Sequence, residues 1–191
     1  LRVLLLLAGF VGLSTVALAQ TTYTWTGAVD SSWSTGGNWN PVGVPADGDS
    51  LAFPPGAANT ATVNDFPAGR SFARLAVNGY GYTLGGNPIV LTEGIVSTQS
   101  AEFTLDIDLQ GAGVAFHAPG ALISGSLGGT APVHIGTPGQ QSSYANVTLS
   151  GSHSYAGVVT VFARDEAGIS AYLVRDGYTV TREEEKLGLN A

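Results

Sequence analysis

Cysteine and methionine are both absent from the 191-residue sequence, and only 11% of its residues are charged. Without cysteine there is no disulfide and no thiolate ligand, so burial and backbone hydrogen bonds must hold the fold. Cationic side chains are scarcer still: between Gln20 and Ala163 only Arg70 and Arg74 carry positive charge, and the net charge is −7. A nucleic-acid surface needs clustered Lys and Arg against the phosphates, which excludes that class of partner. The same deficit argues against anionic lipid surfaces. Neither G-x-S-x-G nor a Walker A motif occurs. Gly79-Tyr80-Gly81 does not complete G-x-G-x-x-G, because Leu84 stands at the third glycine position.

What is present begins with an address. Arg2 supplies a positive n-region, Val3 to Val11 an apolar h-region, and Ala17-Leu18-Ala19 an A-x-A cleavage site. Residues 1–19 are therefore expected to be a secretory signal peptide, leaving Gln20 as the mature N-terminus with no bilayer span. The rival, a membrane anchor, is disfavoured by the short apolar run and its small-residue end. Leu1 reads as an alternative start or a truncated end. About 170 residues then remain, enough for one domain with a core of its own.

The segment Val63–Ile95 sets the grammar of that domain. Three short alternating runs, Ala73–Val77, Tyr82–Leu84 and Ile89–Leu91, are separated by Asn78-Gly79 and by Gly85-Gly86-Asn87-Pro88. Gly and Asn accept positive φ cheaply, so these are turns. Side chains two apart share a face, which pairs Leu75 with Val77, Tyr82 with Leu84, and Ile89 with Leu91. Strands this short make no core alone, but they suit the sides of a coil that buries its inward row against the next. Phe103–Leu109 is the cleanest alternation, with Phe103, Leu105, Ile107 and Leu109 inward. Val114–Phe116, Leu122-Ile123 and Val133–Ile135 follow between Gly-rich links, and Gln140–Asn146 is a polar loop. The expected fold is all-β, a right-handed parallel β-helix over residues 63–163, with coils of roughly 20–25 residues.

Residues 20–62 form a Trp-rich entry module with short strands expected at Tyr23–Thr26 and Ser50–Phe53. All three tryptophans fall here: Trp25, Trp33 and Trp39. Indole faces stack on sugar rings, which makes these three the candidate carbohydrate-binding residues. They equally suit a plug over a terminal coil that lacks a neighbour, and the capping logic favours the plug.

These residues also carry a family resemblance. Trp25-Thr26-Gly27-Ala28, Trp33-Ser34 and Asn38-Trp39-Asn40, followed by Pro45-x-x-Gly48-Asp49 and Leu51-x-Phe53, resemble the opening of bacterial surface proteins with autotransporter-type passenger repeats. Asn64-Asp65-Phe66 and Leu75-x-Val77 through Leu84 continue it, and Val147–Val161 is similar to the autotransporter-associated β-strand repeat. Val158 replaces a common second glycine, and His153-Ser154 replaces a usual Asn-Thr. The resemblance, spanning roughly Tyr23 to Val161, implies an exported parallel β-helix and brings no catalytic residues with it.

Chemistry-bearing groups are few. Asp106 and Asp108, two apart on a strand, project from the outer face about 7 Å apart. That separation suits an inverting glycosidase pair or part of a Ca²⁺ site, but outward acids also simply solvate a strand and discourage edge pairing. No basic residue accompanies them in sequence, as a polysaccharide lyase would require. His117, His134 and His153 lie 17 and 19 residues apart, without metal-ligand spacing. Asn146-Val147-Thr148 is a formal glycosylation sequon without further support. No catalytic residue, metal site or cofactor is expected.

Residues 164–191 break the pattern, holding ten of the 21 charged residues. Ile169–Val174 and Tyr178–Thr181 around Asp176-Gly177 suggest a hairpin. The segment is a C-terminal cap, a linker with a tail, or the product of a slipped reading frame, towards which the mismatch leans. The expectation for the whole is an exported structural or adhesive stalk segment of a bacterial cell-surface protein, secreted or on the cell surface. Its candidate partner is a surface glycan or a host or matrix surface. The alternatives are a secreted carbohydrate-binding module using the tryptophans and a polysaccharide-degrading enzyme using Asp106 and Asp108.

Overall fold

A computed structural model describes residues 20–117, 119–135, 146–161 and 180–181. In chain order the strands are β1 (Thr22–Trp25), β2 (Trp39–Asn40), β3 (Ser50–Phe53), β4 (Ala61–Asn64), β5 (Arg70–Val77), β6 (Tyr82–Gly86), β7 (Ile89–Ser97), β8 (Ala101–Phe103), β9 (Ile107–Leu109), β10 (Val114–His117), β11 (Pro119–Ile123), β12 (Leu127–Gly129), β13 (Val133–Ile135), β14 (Asn146–Leu149), β15 (Val159–Val161) and β16 (Val180–Thr181). Only β1 and β2 pair antiparallel; every other strand pairing described is parallel. The fold is a β-solenoid. Among the described residues there is no α-helix, and no helix long and apolar enough to cross a membrane.

Each coil has three sides. One is the column β1, β3, the second half of β5, the second half of β7, β10, β13 and β15; β4, β6, β8, β11 and β14 make another. The third comprises the first halves of β5 and β7, then β9 and β12. In-register partners fix the period: Leu51, Leu75, Ile95, Phe116 and Ile135 stack in one inward row, at steps of 24, 20, 21 and 19 residues. Leu51, Leu75, Ile95 and Phe116 are buried, as are Leu84 and Phe103 of the facing side and Leu91 and Leu109 of the third. Parallel ladders give nothing to a lone coil, so each strand's stability comes from the row above and below it.

Early coils differ from late ones at one corner. In β5 and β7 a single bent strand carries the chain round it, with a register shift between Phe72 and Arg74. Later the same corner is a break between β9 and β10 and between β12 and β13. The reading of Phe103–Leu109 as one strand is corrected: β8 ends at Phe103, β9 begins at Ile107, and the two belong to different sides. All four inward residues, Phe103, Leu105, Ile107 and Leu109, are nonetheless buried. The in–out alternation runs through the bend while the ladder does not.

The stack begins before Val63, since β1, β3 and β4 already pair as coil sides. Residues 1–19 and nearly all of the charged segment 164–191, with the hairpin read in it, lie outside the described residues. The exception is β16, which pairs parallel with β15 through Val159–Val180 and Thr160–Thr181.

Candidate functional site

The entry module contains the tryptophans singled out by sequence. Trp25 lies on β1, Trp39 on β2, and Trp33 in the intervening loop, and all three are buried at 0–1% exposure. Their rings meet edge to face: Trp25 and Trp39 at 4.8 Å between centroids, Trp33 and Trp39 at 6.3 Å. Trp33 also packs at 5.7 Å on Phe53 and 6.0 Å on Phe72, which ties the loop to the first coils. Edge-to-face contact of this kind adds to simple area burial. The indole N–H of Trp25 donates to the Asn59 carbonyl at 2.7 Å, and that of Trp39 to the Trp33 carbonyl at 2.8 Å. Trp33 Nε1 is buried without a hydrogen-bond partner among the described residues.

Stacking on a pyranose requires an open indole face, and these three rings offer none. Carbohydrate binding by Trp25, Trp33 and Trp39 is therefore corrected on steric grounds: in this conformation they fill the interior of the entry module. The loop that carries Trp33 also covers a sheet edge. Trp33 N–H donates to the Val63 carbonyl at 3.0 Å, and Val63 N–H to the Ser31 carbonyl at 2.8 Å, so β4 is not left open.

Asn38, noted in sequence only as part of the Asn38-Trp39-Asn40 pattern, organises this loop. It is fully buried; its side-chain oxygen accepts from Val29 N–H at 2.8 Å and Asp30 N–H at 3.1 Å. Its amide donates to the Asp30 carboxylate at 2.6 Å and to the Ser32 carbonyl at 2.9 Å. The Ser32 N–H and then the Asn38 amide hold the Asp30 carboxyl below its ordinary range, against a smaller opposing effect of burial, with Thr35 adding to the lowering. Asp65 accepts from Ser34 N–H at 2.8 Å and from the Ser34 hydroxyl. An asparagine pair spans coils: Asn64 Nδ2 donates to the Asn87 carbonyl at 2.7 Å, and Asn87 Nδ2 to the Phe66 carbonyl at 2.8 Å. Their separation of 23 residues is one coil, a signal visible only once the period is known.

The acids and histidines are spread over the walls. Asp106 is exposed and accepts from Ser126 N–H of the next coil at 2.7 Å; half-buried Asp108 accepts from Gln110 Nε2 at 2.8 Å. Both carboxylates thus hold neighbouring chain. His117 ends β10, His134 alternates with Val133 and Ile135 on β13, and His153 follows β14. Among the described residues no group of three or more His, Asp or Glu side chains is placed to hold a metal ion. A cavity of about 30 Å³ between the last described coils is apolar, lined by residues such as Phe116, Val147, Leu149 and Tyr155.

The repeat-like segment 147–161 keeps its register despite its two departures. Tyr155 is buried and donates to the Ala131 carbonyl at 2.5 Å, and Val158 is exposed while its carbonyl accepts from Val133 N–H at 2.8 Å. A Cβ at Gly157 would collide with the Tyr155 hydroxyl and with the Ala131 carbonyl oxygen at 2.6 Å, so a side chain there forces one of them to shift. Comparison with protein-family models, with curated protein sequences and with solved structures returned no match.

Proposed function

We propose that this chain is an exported structural and adhesive passenger, a stalk segment of a bacterial cell-surface protein, and not an enzyme. The observation that carries the proposal is the stack itself: in-register parallel coils closed at one end by a dedicated module. Stacked coils of this kind resist bending and extend about 4.8 Å per coil, which suits a spacer. The leader-like residues 1–19 and the passenger-like sequence patterns at Trp25–Phe53 and Val147–Val161 support export to the surface. Its partners would be surface glycans or a host or matrix surface, met by the outer walls.

The test is protease treatment of intact and lysed cells of the source bacterium, read with an antibody to the entry module. Cleavage on intact cells is expected; protection until lysis sinks the surface assignment. For the non-enzymatic part, purified protein and a D106N/D108N double variant are assayed on acidic and neutral polysaccharides. Turnover by the parent that the double variant lacks would overturn the proposal in favour of a polysaccharide-degrading enzyme.

A further inference from the structure

On the third side of the solenoid, coil-to-coil rungs repeat at one position. Ile89 N–H donates to the Asp106 carbonyl at 3.0 Å, and one coil on, Ile107 N–H donates to the Ser126 carbonyl at 2.8 Å. Another coil on, Leu127 N–H is the equivalent donor, but its acceptor is not a carbonyl. It donates to His153 Nδ1 at 3.0 Å. The flanking rungs are ordinary backbone bonds, Ser154 N–H to the Leu127 carbonyl at 2.9 Å and Ala156 N–H to the Gly129 carbonyl at 3.0 Å. An imidazole therefore replaces one backbone acceptor in an otherwise regular ladder.

We propose that this substitution makes the junction between the Leu127 coil and the His153 coil acid-labile, protonation of His153 removing the acceptor that holds Leu127 N–H. Because an N–H donates to Nδ1, the neutral ring carries its proton on Nε2. Nε2 is buried with no partner among the described residues, so nothing there compensates a positive charge. The imidazolium has two donors and no acceptor, and it would face the Leu127 N–H donor to donor. The titratable groups on the described elements around this junction are Asp106, Asp108 and Glu102 one coil below, Glu102 accepting from the Ser124 hydroxyl at 3.0 Å, with Tyr155 two residues on and His134 on β13. Asp106 and Asp108 are bonded to Ser126 N–H and the Gln110 amide, and Tyr155 to the Ala131 carbonyl. Burial keeps the His153 pKa below its ordinary 6.5. Because the folded value is the depressed one and the neutral form the folded one, the stabilisation is complete above about 6.5 and is lost as pH falls below it.

The experiment is residue-resolved amide exchange by NMR on the full chain, expressed as protection factors, with the His153 ring shifts followed in the same samples. Between about pH 7.5 and about pH 5, Leu127 protection is expected to drop about fivefold, the loss of one net hydrogen bond. The loss should track the His153 titration. H153N keeps an acceptor oxygen without a titrating ring, so its Leu127 protection should not depend on pH; H153A should be weakly protected at both values. Unchanged Leu127 protection in the parent at acid pH overturns the proposal, as does an equal acid loss in H153N. Where H153N does not fold, a parent Leu127 midpoint that departs from the His153 midpoint overturns it.

Discussion

The entry coil and the last described coils of the stack differ in how completely their interiors are filled. A terminal coil has no neighbour for its inward row or its ladder, and both must be covered. At the entry end, β2 and the Ser31–Trp33 loop occupy the edges, and three indoles with Phe53 and Phe72 fill the interior. At the far end of the described residues, Ile135, Val147 and Leu149 are only partly buried around an apolar gap. The contrast teaches that the entry coil is covered by a separate piece of structure. That cover is made of large rings and a buried polar hub, neither of which belongs to the repeating coil.

Breaking the closed end should have the largest effect. Trp33→Ala removes contacts to Trp39, Phe53 and Phe72 at once and is expected to cost about 4 kcal/mol in urea unfolding. A cost below about 1 kcal/mol would mean the loop collapses over the gap and the plug carries no load. Asn38→Ala should follow at about 3 kcal/mol, because two backbone N–H groups and the Asp30 carboxylate lose their partner inside the loop. Its signature is selective: proteolysis should begin within residues 28–40 before the coils open.

The comparison sharpens with one chemistry placed at both ends. Leu51→Ala, in the fully buried row of the entry coil, should cost about 3 kcal/mol, and Leu149→Ala about 1 kcal/mol, since its methyls already border a gap. Equal costs would show that the far end is as tightly packed as the near one. The smallest change is at Tyr82, whose hydroxyl donates to the Pro54 carbonyl at 2.7 Å. Tyr82→Phe should cost about 1 kcal/mol at neutral pH. Burial pushes the Tyr82 pKa up to about 12 from the ordinary 10. The protonated form is the folded one, so stability is complete below about pH 10 and falls as pH rises from there through about 12. Tyr82→Phe should remove that contribution to the alkaline fall, read as the difference between the two unfolding-midpoint profiles.

Much of the architecture was legible in the chain. The inward rows of β5, β6 and β7 follow from alternation at Leu75 and Val77, Tyr82 and Leu84, and Ile89 and Leu91, which are all buried. The place where Phe103–Leu109 breaks was not legible, because side chains keep alternating round a corner although the backbone changes sheet. The candidate site was less readable still. A tryptophan has the same identity as a platform and as a plug, and only the burial of Trp25, Trp33 and Trp39 separates the two. Asn38 stood out only as a letter of the Asn38-Trp39-Asn40 pattern; its role was hidden, because Val29 and Ser32 meet it through backbone groups that every residue has.

The amino-acid sequence alone determined the class of structure: short alternating runs, glycine-rich turns and no cysteine leave stacked coils as the way to bury the apolar row. It also set the coil period, since inward residues recur about every 20 positions. Tertiary structure alone decided how the entry coil is closed, which asparagines bridge, and that a histidine ring stands where a carbonyl would in the ladder. The physical reason is range. Alternation is a property of neighbours along the chain, whereas burial and rung partners depend on residues one coil away, brought into contact only by stacking.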